Sequence, residues 1–177
     1  QRRAGCVTKH LHAILFRIPE LGDKIKGRLY LHSMPGRHEP WQEFCSWMMA
    51  EGIDQIISLA GEEEISWKSP EYFSTIESGK LSAQISIFSV PDMSVPADKN
   101  AFAALAKATA EHIKSGKKVL VHCAGGIGRT GTFANCILHC LGFEEKPART
   151  IVESAFSAPE TSEQIALVKW HAKKGCK

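Results

Sequence analysis

The chain alternates between short apolar segments of period two and longer segments of helical period, and that alternation sets the expected architecture. Gly27 to Ser33 (GRLYLHS) alternates well enough to be a strand, ended by the turn Met34-Pro35-Gly36. Over Glu39 to Glu51, the residues Trp41, Phe44, Cys45, Met48 and Met49 recur near i, i+3, i+4 and i+7, which predicts an amphipathic helix with Gly52 just past its end. Ile53 to Leu59 reads as the next strand. Gly61 to Gly79 holds a short acidic helix and a second around Pro70 to Glu77, and Leu81 to Val90 alternates as a long strand. Phe102, Leu105, Ala106, Thr109 and Ile113 form the buried face of a helix that Asp98 is placed to cap. Val119, Leu120 and Val121 form a buried strand, and Phe133, Ile137 and Cys140 or Leu141 mark a helix from about Thr130. Two helices follow, one over Glu144 to Phe156 with Pro147 in its first turn, the other opened by SAPETSEQ.

This β-α-β order predicts an α/β fold, a single domain over residues 1–177 whose central, largely parallel sheet of four to five strands carries helices on both faces. A length of 177 residues suits one domain with a substantial core. Residues 1–22, two arginines and then the apolar patch Leu11 to Ile18, read as an N-terminal extension packing on that domain. A net charge of +3, spread along the sequence, gives no case for nucleic acid. No apolar run approaches the roughly 18 residues of a membrane span. The six cysteines have no C-x-x-C pairing and fall short of a disulfide scaffold, which points to a reducing, cytoplasmic setting. His10 and His12 could share one strand face as metal ligands, but no third ligand is evident and no metal is expected.

The chemistry concentrates in KKVLVHCAGGIGRTGT, Lys117 to Thr132, where Cys123 and Arg129 stand at the two ends of a glycine-rich loop between a strand and a helix N-terminus. Glycines let successive N–H groups converge, and the first helical turn adds unpaired N–H groups and the positive dipole end. Ala124, Gly125, Gly126, Ile127 and Gly128 thus form an anion cradle, with Cys123 at its base as a stabilised thiolate. Arg129 offers a planar fork for two phosphate oxygens. A cysteine nucleophile under a phosphate-shaped nest implies attack on phosphorus. The missing G-K-[ST] excludes a nucleotide P-loop.

The spacing H-C-x5-R-T with glycines at 125, 126 and 128 resembles the signature of the protein tyrosine phosphatase superfamily, including its dual-specificity branch. The resemblance covers the strand from 81, the loop after it, the signature and the last helices. It implies a metal- and cofactor-free phosphatase working through a phosphocysteine. Such chemistry needs an acid to protonate the leaving oxygen, and the resemblance places it at Asp92 in the two-proline loop 90–96, Asp98 being the rival. Thr130 would hydrogen-bond the sulfur or cap the helix. His122 would hold the loop through backbone hydrogen bonds. Gln164 would aim the hydrolytic water, or serve its own helix in the capping box Thr161-x-x-Gln164.

Members acting on phosphoinositides tend to carry lysines inside the loop, whereas Ala124, Gly125 and Ile127 are uncharged. The expected substrate is therefore a phosphorylated protein or peptide, phosphotyrosine and also phosphoserine or phosphothreonine, handled by a monomer. The alternatives are a phosphate-binding module without catalysis, a phosphatase of phosphoinositides or RNA 5′ phosphates, and a rhodanese-like use of the cysteine loop. The last would leave Thr130 and Asp92 idle.

Overall fold

The computed structural model describes residues 17, 19–174 and 176. Among these, four strands form one parallel sheet: β1 (Arg28–His32), β2 (Gln55–Ser58), β3 (Gln84–Ile87) and β4 (Lys118–His122), in the spatial order β1-β4-β2-β3. Seven helices accompany them: α1 (Trp41–Glu51), α2 (Glu62–Lys68), α3 (Pro70–Glu77), α4 (Lys99–Lys114), α5 (Gly128–Cys140), α6 (Glu145–Ser154) and α7 (Ser162–Lys174). Among the described residues the sheet has four strands, and an isolated antiparallel bridge pairs Arg17 with Leu31 of β1. Most of the extension 1–22, with His10 and His12, lies outside the described residues.

Strand alternation divides the core. Leu29 and Leu31 of β1, with Ile57, Val119 and Val121, face the cluster built with α4, α5, α6 and α7. Tyr30, Ile56 and Leu120 point the other way, onto Phe44 and Met48 of α1. The chain order therefore yields a three-layer sandwich with helices on both faces. The strand expected over Leu81 to Val90 is shorter, because β3 is an edge strand hydrogen-bonded on one side to β2. Its trailing residues still follow β2 through Phe88 N to Ser58 O (2.8 Å) and Val90 N to Leu59 O (3.0 Å).

Local signals are realised as well. Gly52 ends α1 at φ 68°, and Asp98 Oδ1 accepts from Asn100 N (2.9 Å) and Ala101 N (3.0 Å) at the start of α4. Helix α5 starts two residues earlier than Thr130, at Gly128. Cys140 and Cys176 form a disulfide, a departure from the all-thiol reading. These residues stand 36 apart in sequence, and only the docking of α7 against α5 brings them together. No described helix is long and apolar enough to cross a membrane.

The four parallel strands all send their carboxyl ends to one edge, where ligands bind in open α/β sheets. At that edge β1 and β4 end in the cross-strand partners His32 and His122, both fully buried. Burial pushes their pKa values down, to about 3 for His32 and about 4 for His122. Glu39, whose Oε1 accepts from Gly36 N and lies 3.8 Å from His32 Nε2, is pushed up by burial to about 7.

Both histidines fold in the neutral form, so between pH 6.5 and about 4 the unfolded chain binds more protons than the native one. Stability then falls with acidification, by at most about 1.4 kcal/mol per pH unit for each histidine. Glu39 works the other way between about pH 4.5 and 7, since its native form holds the proton. Two groups outweigh one, so the thermal midpoint should drop from pH 6.5 to 4.5, and Glu39→Gln should steepen that drop. A midpoint that is flat in both proteins would show that these side chains do not carry the pH dependence.

Candidate active site

A loop that aims N–H groups inward must send its carbonyls outward, and each outward carbonyl needs a donor. Here neighbouring elements supply them. Cys123 O accepts from His122 Nδ1 (3.0 Å), Ala124 O from Met34 N (3.0 Å), and Ile127 O from Gly131 N (2.7 Å) and Ala158 N (3.3 Å). Gly126 O accepts from Arg17 Nη2 (2.8 Å) and Ser157 Oγ (2.7 Å). A trans peptide then turns the Ile127 N–H to the opposite side, while Gly126 N donates to Cys123 Sγ at 3.2 Å.

Gly126 sits at φ 73°, and a Cβ there would collide with Arg17 and with the His32 carbonyl. Gly131 has no spare room either, since a Cβ there would collide with Ala158 N. Arg17 also donates to Phe156 O at 2.7 Å, so one guanidinium joins the N-terminal segment, the loop and the turn after α6. Burial lowers its pKa, and the charge of Cys123 works in the opposite direction. Nothing in the sequence singles out Arg17 within an apolar patch.

Arg129 is 3% exposed on the first turn of α5. Its Nη1 and Nη2 reach Glu64 Oε2 (2.8 Å) and Oε1 (3.0 Å), Nη1 also donates to Val90 O (2.9 Å), and Nη2 lies 3.0 Å from Asp92 Oδ1. Its Nε is buried without a hydrogen-bond partner. The hydrogen bonds from Arg129 hold the Glu64 carboxyl well below its usual range, at about 2. Glu64 is one of three consecutive glutamates opening α2, and the pattern Glu62-Glu63-Glu64 carries no sign of which one turns inward.

Asp92 and Asp98 separate cleanly. Asp98 is spent on the cap of α4, whereas Asp92 lines the same cleft of about 230 Å³ as Cys123, Gly125 and Arg129, with its side chain 66% exposed. His122 donates through Nδ1 to Cys123 O, because a carbonyl only accepts, which leaves Nε2 to accept from the Tyr72 hydroxyl at 3.0 Å. Tyr72 is a further residue that the sequence reading did not place here.

Gln164 closes its capping box. Its N–H donates to Thr161 Oγ1 (3.1 Å) and its Oε1 accepts from Thr161 N (3.3 Å) and also from Glu160 N (2.8 Å), while its Nε2 donates to Ser94 O (3.0 Å) of the two-proline loop 90–96. It lies beside the cradle as well, since a Cβ on Gly128 would come 3.2 Å from Gln164 Oε1. Thr130 lies inside the first turn of α5, and its buried Oγ1 makes neither the bond to sulfur nor a capping bond.

The kinase associated phosphatase (KAP), solved with serine for its catalytic-site cysteine, superposes with a TM-score of 0.76 at 18% identity over 90% of this chain and 94% of that one. Tk-PTP in its active form gives 0.67 at 24% identity over 87% and 99%, and PTPMT1 in complex with PI(5)P gives 0.66 at 16% over 83% and 91%. At these identities the likeness establishes the fold alone. No curated protein matches the chain. Residues 24–176 match the family model described as PTP-SAK, Swiss Army Knife protein, DSP-PTPase phosphatase domain. The chain belongs to that family of dual-specificity-type phosphatase domains.

Proposed function

We propose that the protein is a phosphomonoester hydrolase of phosphorylated protein, acting through a phosphocysteine at Cys123. The observation that carries this reading is the convergence of Cys123, Arg129 and Asp92 on one cleft at the carboxyl edge of the sheet. The Cys123 thiolate attacks phosphorus, and the loop N–H groups from Ala124 to Gly128 stabilise the transferring oxygens. Arg129 contributes its Nε–H, a buried donor whose lack of a partner costs about 1 to 3 kcal/mol until an oxyanion meets it. Glu64 holds the Nη1/Nη2 fork and thereby fixes the guanidinium plane, so that the Nε edge is left to meet the phosphate.

A phosphate entering the cradle competes with Asp92 for Arg129. Asp92 is the more exposed of the two carboxylate partners, so it is the one displaced and turns to the leaving oxygen as general acid. Gln164 spans the cradle and the acid loop, where it helps place the water that hydrolyses the phosphocysteine. Thr130 Oγ1, which makes no bond to sulfur in the resting site, would have to turn onto Sγ to support departure of the sulfur in that second step. His122 and Arg17 act as positioning residues through the loop carbonyls. The uncharged cradle positions favour phosphotyrosine, phosphoserine and phosphothreonine peptides. A second reading, a substrate with an additional phosphate such as a phosphoinositide, is favoured by Arg37 and Lys68 at the rim, although Asp92 and Glu160 line the same cleft.

Release of phosphate from p-nitrophenyl phosphate with EDTA present should be abolished in Cys123→Ser and lowered about 10²- to 10⁴-fold in Asp92→Asn. A normal rate in the second variant would move the acid elsewhere. Glu64→Gln preserves shape but loosens Arg129, and Arg17→Ala removes one of the two donors to the Gly126 carbonyl and the donor to Phe156 O. Each should cost up to about 10²-fold in kcat/KM by misplacing donors that do not themselves react, whereas loss of folding alone would lower the active fraction and leave KM unchanged. Phosphopeptides should be turned over faster than phosphoinositide vesicles, and the reverse order would select the second reading.

A further inference from the structure

The carboxyl ends of α5 and α7 bring together a second group of reactive side chains, remote from the cradle. Cys140 is the last residue of α5, so about 18 Å of helix separates it from Gly128. The Sγ atoms of Cys140 and Cys176 lie 3.9 Å and 4.0 Å from His171 Nε2, and all three ligand atoms fall within 4.8 Å of one another. His171 is 1% exposed. Its other nitrogen, Nδ1, faces His139 Nδ1 at 3.4 Å, which leaves Nε2 turned to the sulfurs.

We propose that Cys140, His171 and Cys176 form a binding site for a zinc-class divalent ion once the Cys140–Cys176 disulfide is reduced. Metal-bound histidines usually engage their outer nitrogen with a neighbouring group, the place His139 occupies. Two thiolates and an imidazole suit a borderline-soft ion in tetrahedral coordination, where metal–sulfur bonds of about 2.3 Å and metal–nitrogen bonds of about 2.0 Å put sulfur and nitrogen roughly 3.5 Å apart. The observed separations exceed that by under about half an ångström. The cysteine α-carbons stand 5.4 Å apart, so the sulfurs can separate to the roughly 3.8 Å of a tetrahedral site by side-chain rotation. The negative end of the α5 dipole also favours a cation there. A solvent molecule would complete the four ligands.

The steps balance. A dithiol reductant gives two electrons and two protons to the S–S bond, becomes a cyclic disulfide, and leaves two thiols on the protein. The ion then displaces two protons and forms two metal–sulfur bonds. Oxidation of the two thiolates by a disulfide-class oxidant reforms the cross-link and expels the ion, so the site would hold zinc only under reducing conditions.

The test uses the whole protein, reduced with a dithiol that is then removed by gel filtration without oxygen, and titrated with zinc against a chromophoric chelator and with cobalt. Reduced protein should bind one ion per chain and show thiolate-to-cobalt charge-transfer absorption, while the oxidised protein should show neither. Cys176→Ser, just beyond α7, should retain phosphatase activity yet weaken zinc at least tenfold and diminish the cobalt band; Cys140→Ser and His171→Gln should weaken binding likewise. Cys123→Ser should leave binding unchanged, which separates this site from the catalytic thiol. Absence of a bound ion in the reduced protein, or full-strength binding in Cys176→Ser, would overturn the proposal.

Discussion

The orientation of a few peptide units in residues 123–128 is the constraint on which the rest depends. An inward ring of N–H groups turns the carbonyls of the same peptides outward, and each of those that is buried needs a donor outside the loop. β1 contributes Met34 N just after its end, β4 contributes His122, the N-terminal segment contributes Arg17, and the turn after α6 contributes Ser157 and Ala158. The cradle is thus held by segments from across the chain, and the parallel sheet is what delivers two of them to one edge. Arg17 has a special standing because it answers two carbonyls at once, those of Gly126 and Phe156.

Arg129 poses the complementary problem of a cation out of water. A buried guanidinium is costly unless paired, and removing one partner of such a pair is far worse than never having it. Glu64 meets both Nη groups and Val90 supplies a carbonyl. Asp92 meets only one nitrogen, from an exposed loop. The strong partner therefore serves as structure and the weak one is free to serve chemistry. Two carboxylates around one arginine are told apart by burial and hydrogen-bond number rather than by residue type.

The architecture was legible in the sequence because each element announced itself locally: period-two alternation in GRLYLHS, the Asp98 cap, Gly52 after α1. The signature was legible for the same reason, since strand, cysteine, glycines and arginine are contiguous. Glu64, Arg17 and Tyr72 were not, because each reaches the site from 50 or more residues away and carries no mark of its own. Gln164 shows a third case. Its capping box was readable from Thr161-x-x-Gln164, but the same side chain spends its remaining donor on Ser94, a contact that depends on where α7 docks.

Helix α5 connects the two ends of the molecule's chemistry. Its amino end supplies positive dipole and N–H groups beneath the cradle, and its carboxyl end supplies negative dipole beside Cys140. An anion and a cation are each favoured where the backbone field already suits them, so neither site weakens the other electrostatically. Because α7 carries Gln164 near its start and His171 near its end, a cross-link between α5 and α7, by disulfide or by metal, restrains the helix on which that glutamine is mounted. Packing between the same two helices already fixes their mutual position, so the cross-link acts chiefly on the unfolded chain, where closing a loop between residues 36 apart removes roughly 3 to 4 kcal/mol worth of conformational freedom. The physical consequence is stability that tracks the redox state while the catalytic geometry at the other end of α5 stays the same.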